Sequence, residues 1–101
     1  MDSKQLLVVA HAPSPNTQRL VDAVLAGARN PDVAGVAVRH LPPLQAGAED
    51  VLAADAVILG TTENLGYMSG ALKDFFDRIY YPCLEKTPGL PYALYMRAGR
   101  P

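Results

Sequence analysis

Residues 6–10, Leu-Leu-Val-Val-Ala, form an unbroken apolar run that passes into the polar stretch His11-Ala-Pro-Ser-Pro-Asn-Thr17 and then into a helical pattern. An apolar run of this length without alternation marks a strand covered on both faces, as in a parallel sheet. From Thr17 onward Leu20, Val21, Val24, Leu25 and Ala28 share one stripe, with Gln18, Arg19, Asp22 and Arg29 opposite, which predicts an amphipathic helix over 17–28. Asn30-Pro31-Asp32 stops it. A second strand is predicted over 33–39, where Val36 and Val38 share one face and Ala37 and Arg39 the other, the half-covered pattern of a sheet edge. Two successive prolines, Pro42 and Pro43, keep 40–44 extended. Residues 48–54 read as a short, weak helix, and 55–60, Asp-Ala-Val-Ile-Leu-Gly, as a third strand with both faces covered.

A long loop over 61–68 then leads to Ser69, which caps the strongest helical pattern in the chain. Leu72, Phe75, Phe76, Ile79 and Tyr80 keep the three-four spacing, while the pairs Lys73 with Asp77 and Asp74 with Arg78 lie one turn apart on a face that reads as solvated. Tyr81-Pro82 closes this helix, and a fourth strand follows over 90–96, with Pro91 at its beginning because proline cannot donate to a ladder. The alternation of strand and helix predicts an α/β fold, a doubly wound parallel sheet with right-handed crossovers, in one domain over 1–101. Ligands of such sheets bind beyond the carboxyl ends of the strands, which here carry 11–17, 61–68 and 97–101.

The first of these segments has the chemistry of an anion site. Ser14 suits the N-cap and Pro15 the first helical position, so the amides of Asn16 and Thr17 are expected to point out of the helix end, where the dipole favours negative charge. The same residues also suit an ordinary capped turn, and the pattern alone leaves both readings open. Composition narrows the rest. With 19% charged residues and a formal net charge of −1, the chain has no basic footprint for nucleic acid. No apolar run approaches the length of a membrane span, and the opening Met1-Asp-Ser-Lys-Gln lacks the apolar core of a signal peptide. The single cysteine, Cys83, cannot form an internal disulfide and reads as a structural thiol, which predicts a reduced, cytoplasmic setting. His11, His40 and Cys83 lack metal-ligand spacing, and GxGxxG, P-loop and GxSxG motifs are absent. His11 has no carboxylate partner nearby in sequence and reads as a hydrogen-bonded loop residue, not a catalyst.

Taken together, His11-x-x-Ser14-x-Asn16-Thr17 after the first strand and Gly60-Thr-Thr-Glu-Asn-Leu-Gly-Tyr-Met-Ser-Gly-Ala-Leu-Lys-Asp-Phe-Phe-Asp-Arg78 resemble the flavodoxin-like superfamily, on its branch of FMN-binding NAD(P)H-dependent reductases. The resemblance implies the sheet order 2-1-3-4-5, of which this chain holds the 2-1-3-4 part and lacks the fifth strand and last helix. It implies that Ser14, Asn16 and Thr17 hold the FMN phosphate, with His11 shaping the start of the loop. It also implies that Thr61, Thr62, Glu63, Asn64, Leu65, Gly66 and Tyr67 border the flavin ring. Thr62 stands where family members usually have proline; Gly66 would allow close approach, and Tyr67 suits either stacking on the ring or contact with a partner.

The implied activity passes electrons from NAD(P)H through bound FMN to a small-molecule acceptor, with no side chain needed as acid, base or nucleophile. Two alternatives share the same fold: an interaction module without redox chemistry, and an FMN electron carrier that does not react with NAD(P)H. With no fifth strand beside it, the apolar fourth strand has an open edge, which predicts a homo-oligomer or a truncated form of a longer gene product.

Overall fold

In the computed structural model, which describes residues 3–64, 67–83, 86–87 and 89–98, the elements follow in the order β1 (Lys4–Ala10), α1 (Pro15–Ala28), β2 (Val36–Leu41), α2 (Ala48–Leu52), β3 (Ala56–Asn64), β4 (Tyr67–Met68), α3 (Gly70–Cys83) and β5 (Tyr92–Ala98). β1 lies between β2 and β3, parallel to both, and β5 runs parallel along the other side of β3. The long strands therefore stand in the order β2-β1-β3-β5, the expected 2-1-3-4 arrangement of a flavodoxin-like sheet. Strand order reverses direction between β1 and its neighbour β3, and the carboxyl ends of these two strands form the crevice where such folds bind ligands.

Side chains alternate across a strand, so the unbroken apolar run of β1 feeds two cores. Leu7 and Val9 pack with Val57 and Leu59 of β3 against Val51 of α2 and Leu72, Phe75 and Cys83 of α3. Val8 and Ala10 face the other way and pack on Val21 of α1, with Leu25, Val38, Ile58 and Tyr95 around them. Complete burial of Val8, Val9 and Val21 contributes about 1.5–3 kcal/mol per side chain. This burial holds the start of α1 over the end of β1. Among the described residues no helix is long and apolar enough to cross a membrane.

Several boundaries differ from the sequence expectation, each for a physical reason. β2 begins at Val36 instead of residue 33, because Val33 N–H and Asp32 N–H are tied back to the Asn30 carbonyl and side chain, both at 2.8 Å, and Gly35 turns the chain at φ 76°. The segment 61–68 is not a loop throughout. β3 continues to Asn64 because β5 supplies a parallel partner as far as Ala98, and β4 folds back on it antiparallel, pairing Glu63 with Met68 and Asn64 with Tyr67. The last strand starts at Tyr92, two residues late, leaving Pro91 outside the ladder with its carbonyl accepting from Val57 N–H at 3.1 Å. Pro82 falls inside the last turn of α3, which ends at Cys83.

The Arg78 guanidinium departs most from the sequence pattern. It keeps the expected pairing with Asp74 at 2.7 Å, yet it also donates to the carbonyls of Ala46 at 2.6 Å and Pro43 at 2.5 Å. Exposed as the pattern indicates, it is also a clamp on the connection before α2. Two carbonyls of a connection that lies outside any strand gain a charged donor this way.

Candidate functional site

The turn that follows β1 is held from below and from within. His11 N–H donates to the Gly60 carbonyl at 3.0 Å, which fixes the loop start to the end of β3. At the helix start Ser14 is the N-cap and Pro15 the first helical residue, as the sequence indicates. Ser14 and Thr17 then satisfy one another: Ser14 N–H donates to Thr17 Oγ1 at 3.0 Å, Thr17 N–H donates to Ser14 Oγ at 3.3 Å, and the two hydroxyls lie 2.9 Å apart. The Thr17 hydroxyl also lies 3.0 Å from the Ser14 carbonyl, and Thr17 is buried.

This reciprocal cap changes the donor inventory. Pro15 has no N–H, the Thr17 amide is already engaged, and Gln18 N–H closes on the Ser14 carbonyl at 2.9 Å. Among the described residues the Asn16 amide has no partner at the positive end of α1, with the exposed Asn16 side chain beside it. Thr17 therefore shapes the turn, and Asn16 is the residue that presents a donor outward.

The two threonines after Gly60 point to opposite sides of the sheet. Thr61 is buried; its hydroxyl accepts from Ser69 N–H at 2.9 Å and donates to the Thr62 carbonyl at 2.9 Å. Ser69 Oγ in turn accepts from Leu72 N–H at 3.2 Å, so Thr61 and Ser69 together anchor the start of α3 to the end of β3. By strand alternation Thr62, half-buried, faces the α1 side, the same side as the turn after β1. The backbone of Glu63, Asn64 and Tyr67 forms the β3–β4 hairpin at this end of the sheet. Leu65 and Gly66 lie outside the described residues.

Tyr95, which the sequence pattern places only in an apolar strand, and Arg97, the first residue of the strand-end segment 97–101, belong to the same neighbourhood. Ala10, Gly60 and Tyr95 are level across β1, β3 and β5, and the Tyr95 ring lies over Gly60 on the α1 side. Burial raises the Tyr95 phenol above its ordinary value. Two positions further on, Arg97 is level with Thr62. The strand pattern of β5 identified an apolar element; its register against β3, which brings Tyr95 and Arg97 to this site, has no local signature.

On the α3 side two adjoining hollows of about 280 and 290 Å³ share Leu59, Phe76 and Tyr92 as walls. Their lining is apolar and includes Cys83, whose thiol is pushed up by burial, with a smaller opposing effect of Lys86. They lie across the sheet from the α1 turn.

The described geometry is thus a helix N-terminus with a free amide, set at the strand-order reversal and bordered by the end of β3. The family model for NADPH-dependent FMN reductase matches residues 13–100. A protein of Aquifex aeolicus (strain VF5) described as flavodoxin is 33% identical over 75 residues, which is 74% of this chain and 40% of that relative's length.

Proposed function

The chain belongs to the NADPH-dependent FMN reductase family, and we propose that it binds FMN and passes electrons from NAD(P)H through it to a small-molecule acceptor. The observation that carries this reading is the position of the capped α1 N-terminus at the β1–β3 reversal, with the Asn16 amide unclaimed. The donor chemistry suits a phosphate. A dianion there gains one backbone N–H, the Asn16 amide side chain, the Ser14 hydroxyl and the helix dipole, with no acidic residue in the turn to oppose it.

In this reading Asn16 and Ser14 contact the phosphate, Thr17 holds Ser14 in place, and His11 N–H keeps the turn against Gly60. Thr62 and the β3–β4 hairpin border the ring by backbone and side chain. Thr61 acts behind them, through Ser69 and α3. FMN, when bound, supplies the two-electron chemistry, and the protein binds, orients and shields it. No side chain is required to move a proton. Titration of the chain with FMN, followed by quenching of flavin fluorescence and by calorimetry, tests the proposal. Micromolar or tighter binding, about −8 kcal/mol, is expected; a chain that stays colourless and gives no heat with FMN would overturn it. Reduction of the bound flavin by NADPH or NADH in a stopped-flow trace then separates a reductase from an electron carrier.

A homo-oligomer and a cytoplasmic location complete the proposal. The outer edge of β5 has no partner strand among the described residues, and Tyr92, Leu94 and Met96 are exposed on its α3 side. An open apolar edge of this kind invites pairing with a second copy. The same exposed face favours the second reading, an interaction module that binds no flavin, and the FMN titration decides between them.

A further inference from the structure

We infer that Arg97 is the cation that faces the negative charge of the reduced flavin ring, an inference that rests on the FMN reading above. Its position follows from register. Ala10, Gly60 and Tyr95 are level across the sheet, and Arg97 is paired with Thr62 two positions beyond them, at the carboxyl end where the ligand binds. Its side follows from alternation. Tyr95 packs with Val8, Ala10 and Val21, whereas Leu94 and Met96 line the hollow beneath α3, so Arg97 faces the α1 side with the phosphate turn.

Arg97 is exposed and takes part in no hydrogen bond or ion pair among the described residues. The segments 11–17, 61–64 and 96–98, which converge at this end of the sheet, contain no other lysine or arginine. A guanidinium is planar and weakly hydrated, so it costs little to bring against a planar anion.

Distance selects the ring over the phosphate. β1 and β5 are two strand spacings apart, roughly 10 Å. A flavin held by its phosphate at α1 would have its ribityl chain to cross that gap, which would set its ring beside Arg97. Hydride transfer from NAD(P)H delivers two electrons and one proton, leaving NAD(P)⁺ and a ring that carries one negative charge. A fixed positive charge beside that ring stabilises the reduced form over the oxidised one.

The test compares the parent with Arg97→Gln and Arg97→Lys in the full chain, using FMN and, as a phosphate-free probe, riboflavin. Arg97→Gln is expected to bind oxidised FMN within twofold of the parent. It should bind reduced FMN about tenfold more weakly, which for a two-electron couple lowers the midpoint potential by about 30 mV in spectroelectrochemical titration. Arg97→Lys should restore most of the difference. An unchanged potential overturns the inference, as does a loss of FMN affinity that riboflavin does not share, because that places Arg97 on the phosphate. A parent chain that binds neither flavin overturns the FMN reading itself and this inference with it.

Discussion

The aromatic ring of Tyr95 occupies the space that a β-carbon on Gly60 would take, so the last described strand closes over the third at the one position without a side chain. Gly60 ends an apolar run in the sequence, but its requirement for glycine comes from β5. The overlap involves ring carbons and the phenol oxygen, and the ring must move if any side chain is added. Gly60→Ala is expected to cost about 1–3 kcal/mol in urea unfolding, typical of overpacking. In the Tyr95→Ala background the same change should cost much less. Equal costs in the two backgrounds would show that the ring does not rest on Gly60.

The Tyr95 hydroxyl is buried without a hydrogen-bond partner among the described residues. Removing it by Tyr95→Phe is expected to be neutral or stabilising, since no bond is lost and a desolvated polar atom disappears. Burial raises the folded-state pKa, so the unfolded chain releases the phenolic proton first as pH rises. Stability therefore falls above about pH 10, where the unfolded phenol ionises. Chemical denaturation between pH 8 and pH 11, in units far from the carboxylate range, should show a shallower alkaline decline for Tyr95→Phe than for the parent.

Thr17→Val keeps the size of the side chain but removes the hydroxyl that serves Ser14 N–H. About 0.5–2 kcal/mol of stability should be lost, the range of an N-cap, and FMN affinity should fall because Ser14 is no longer held. Thr17→Ser should retain both properties. A Thr17→Val protein of parental stability and affinity would mean that the reciprocal cap has no part in organising the turn.

Arg78→Met retains the length of the side chain and loses its charged donors to Ala46 and Pro43. A destabilisation of about 1.5–3 kcal/mol is expected for hydrogen bonds to a charged group. Asp74→Asn, which removes only the partly exposed ion pair, should cost below about 1 kcal/mol. Comparable losses for the two variants in thermal unfolding would contradict the clamp.

Asp50 links α2 to β2. Burial pushes its carboxyl up, but the Gly47 N–H at 2.9 Å and the Arg39 guanidinium at 2.6 Å more than offset this, and its pKa lies below the usual value. A lowered folded-state pKa stabilises the fold above the unfolded value of about 4, and that contribution is lost as pH falls through the folded value. Asp50→Asn should therefore be less stable than the parent at pH 6 and should converge with it under strong acid. Parallel curves across that interval would rule out the linkage.

The order of strands and helices was legible in the sequence because it rests on local patterns. The five apolar residues at 6–10 can be buried only on both faces, Ser14-Pro15 can cap and start a helix, and Leu72, Phe75, Phe76 and Ile79 share one helical face whatever else the chain does. Those properties depend on spacing and backbone chemistry alone. Thr61 and Thr62, by contrast, look equivalent in sequence, and only pairing with β5 turns one into an anchor for Ser69 and the other toward the turn after β1.

Arg78 has the spacing of a surface ion pair with Asp74. Its clamp on Pro43 and Ala46 exists because the connection before α2 comes to rest against α3 more than thirty residues away. The helix-start pattern points the amides of both Asn16 and Thr17 outward, yet the Thr17 amide donates to Ser14 Oγ. The sequence by itself thus determined which segments become strands and helices. Tertiary structure decided strand register, and with it the meeting of Tyr95 with Gly60 and of Arg97 with Thr62, because contacts between residues distant in the chain depend on how the elements align, which no local pattern encodes.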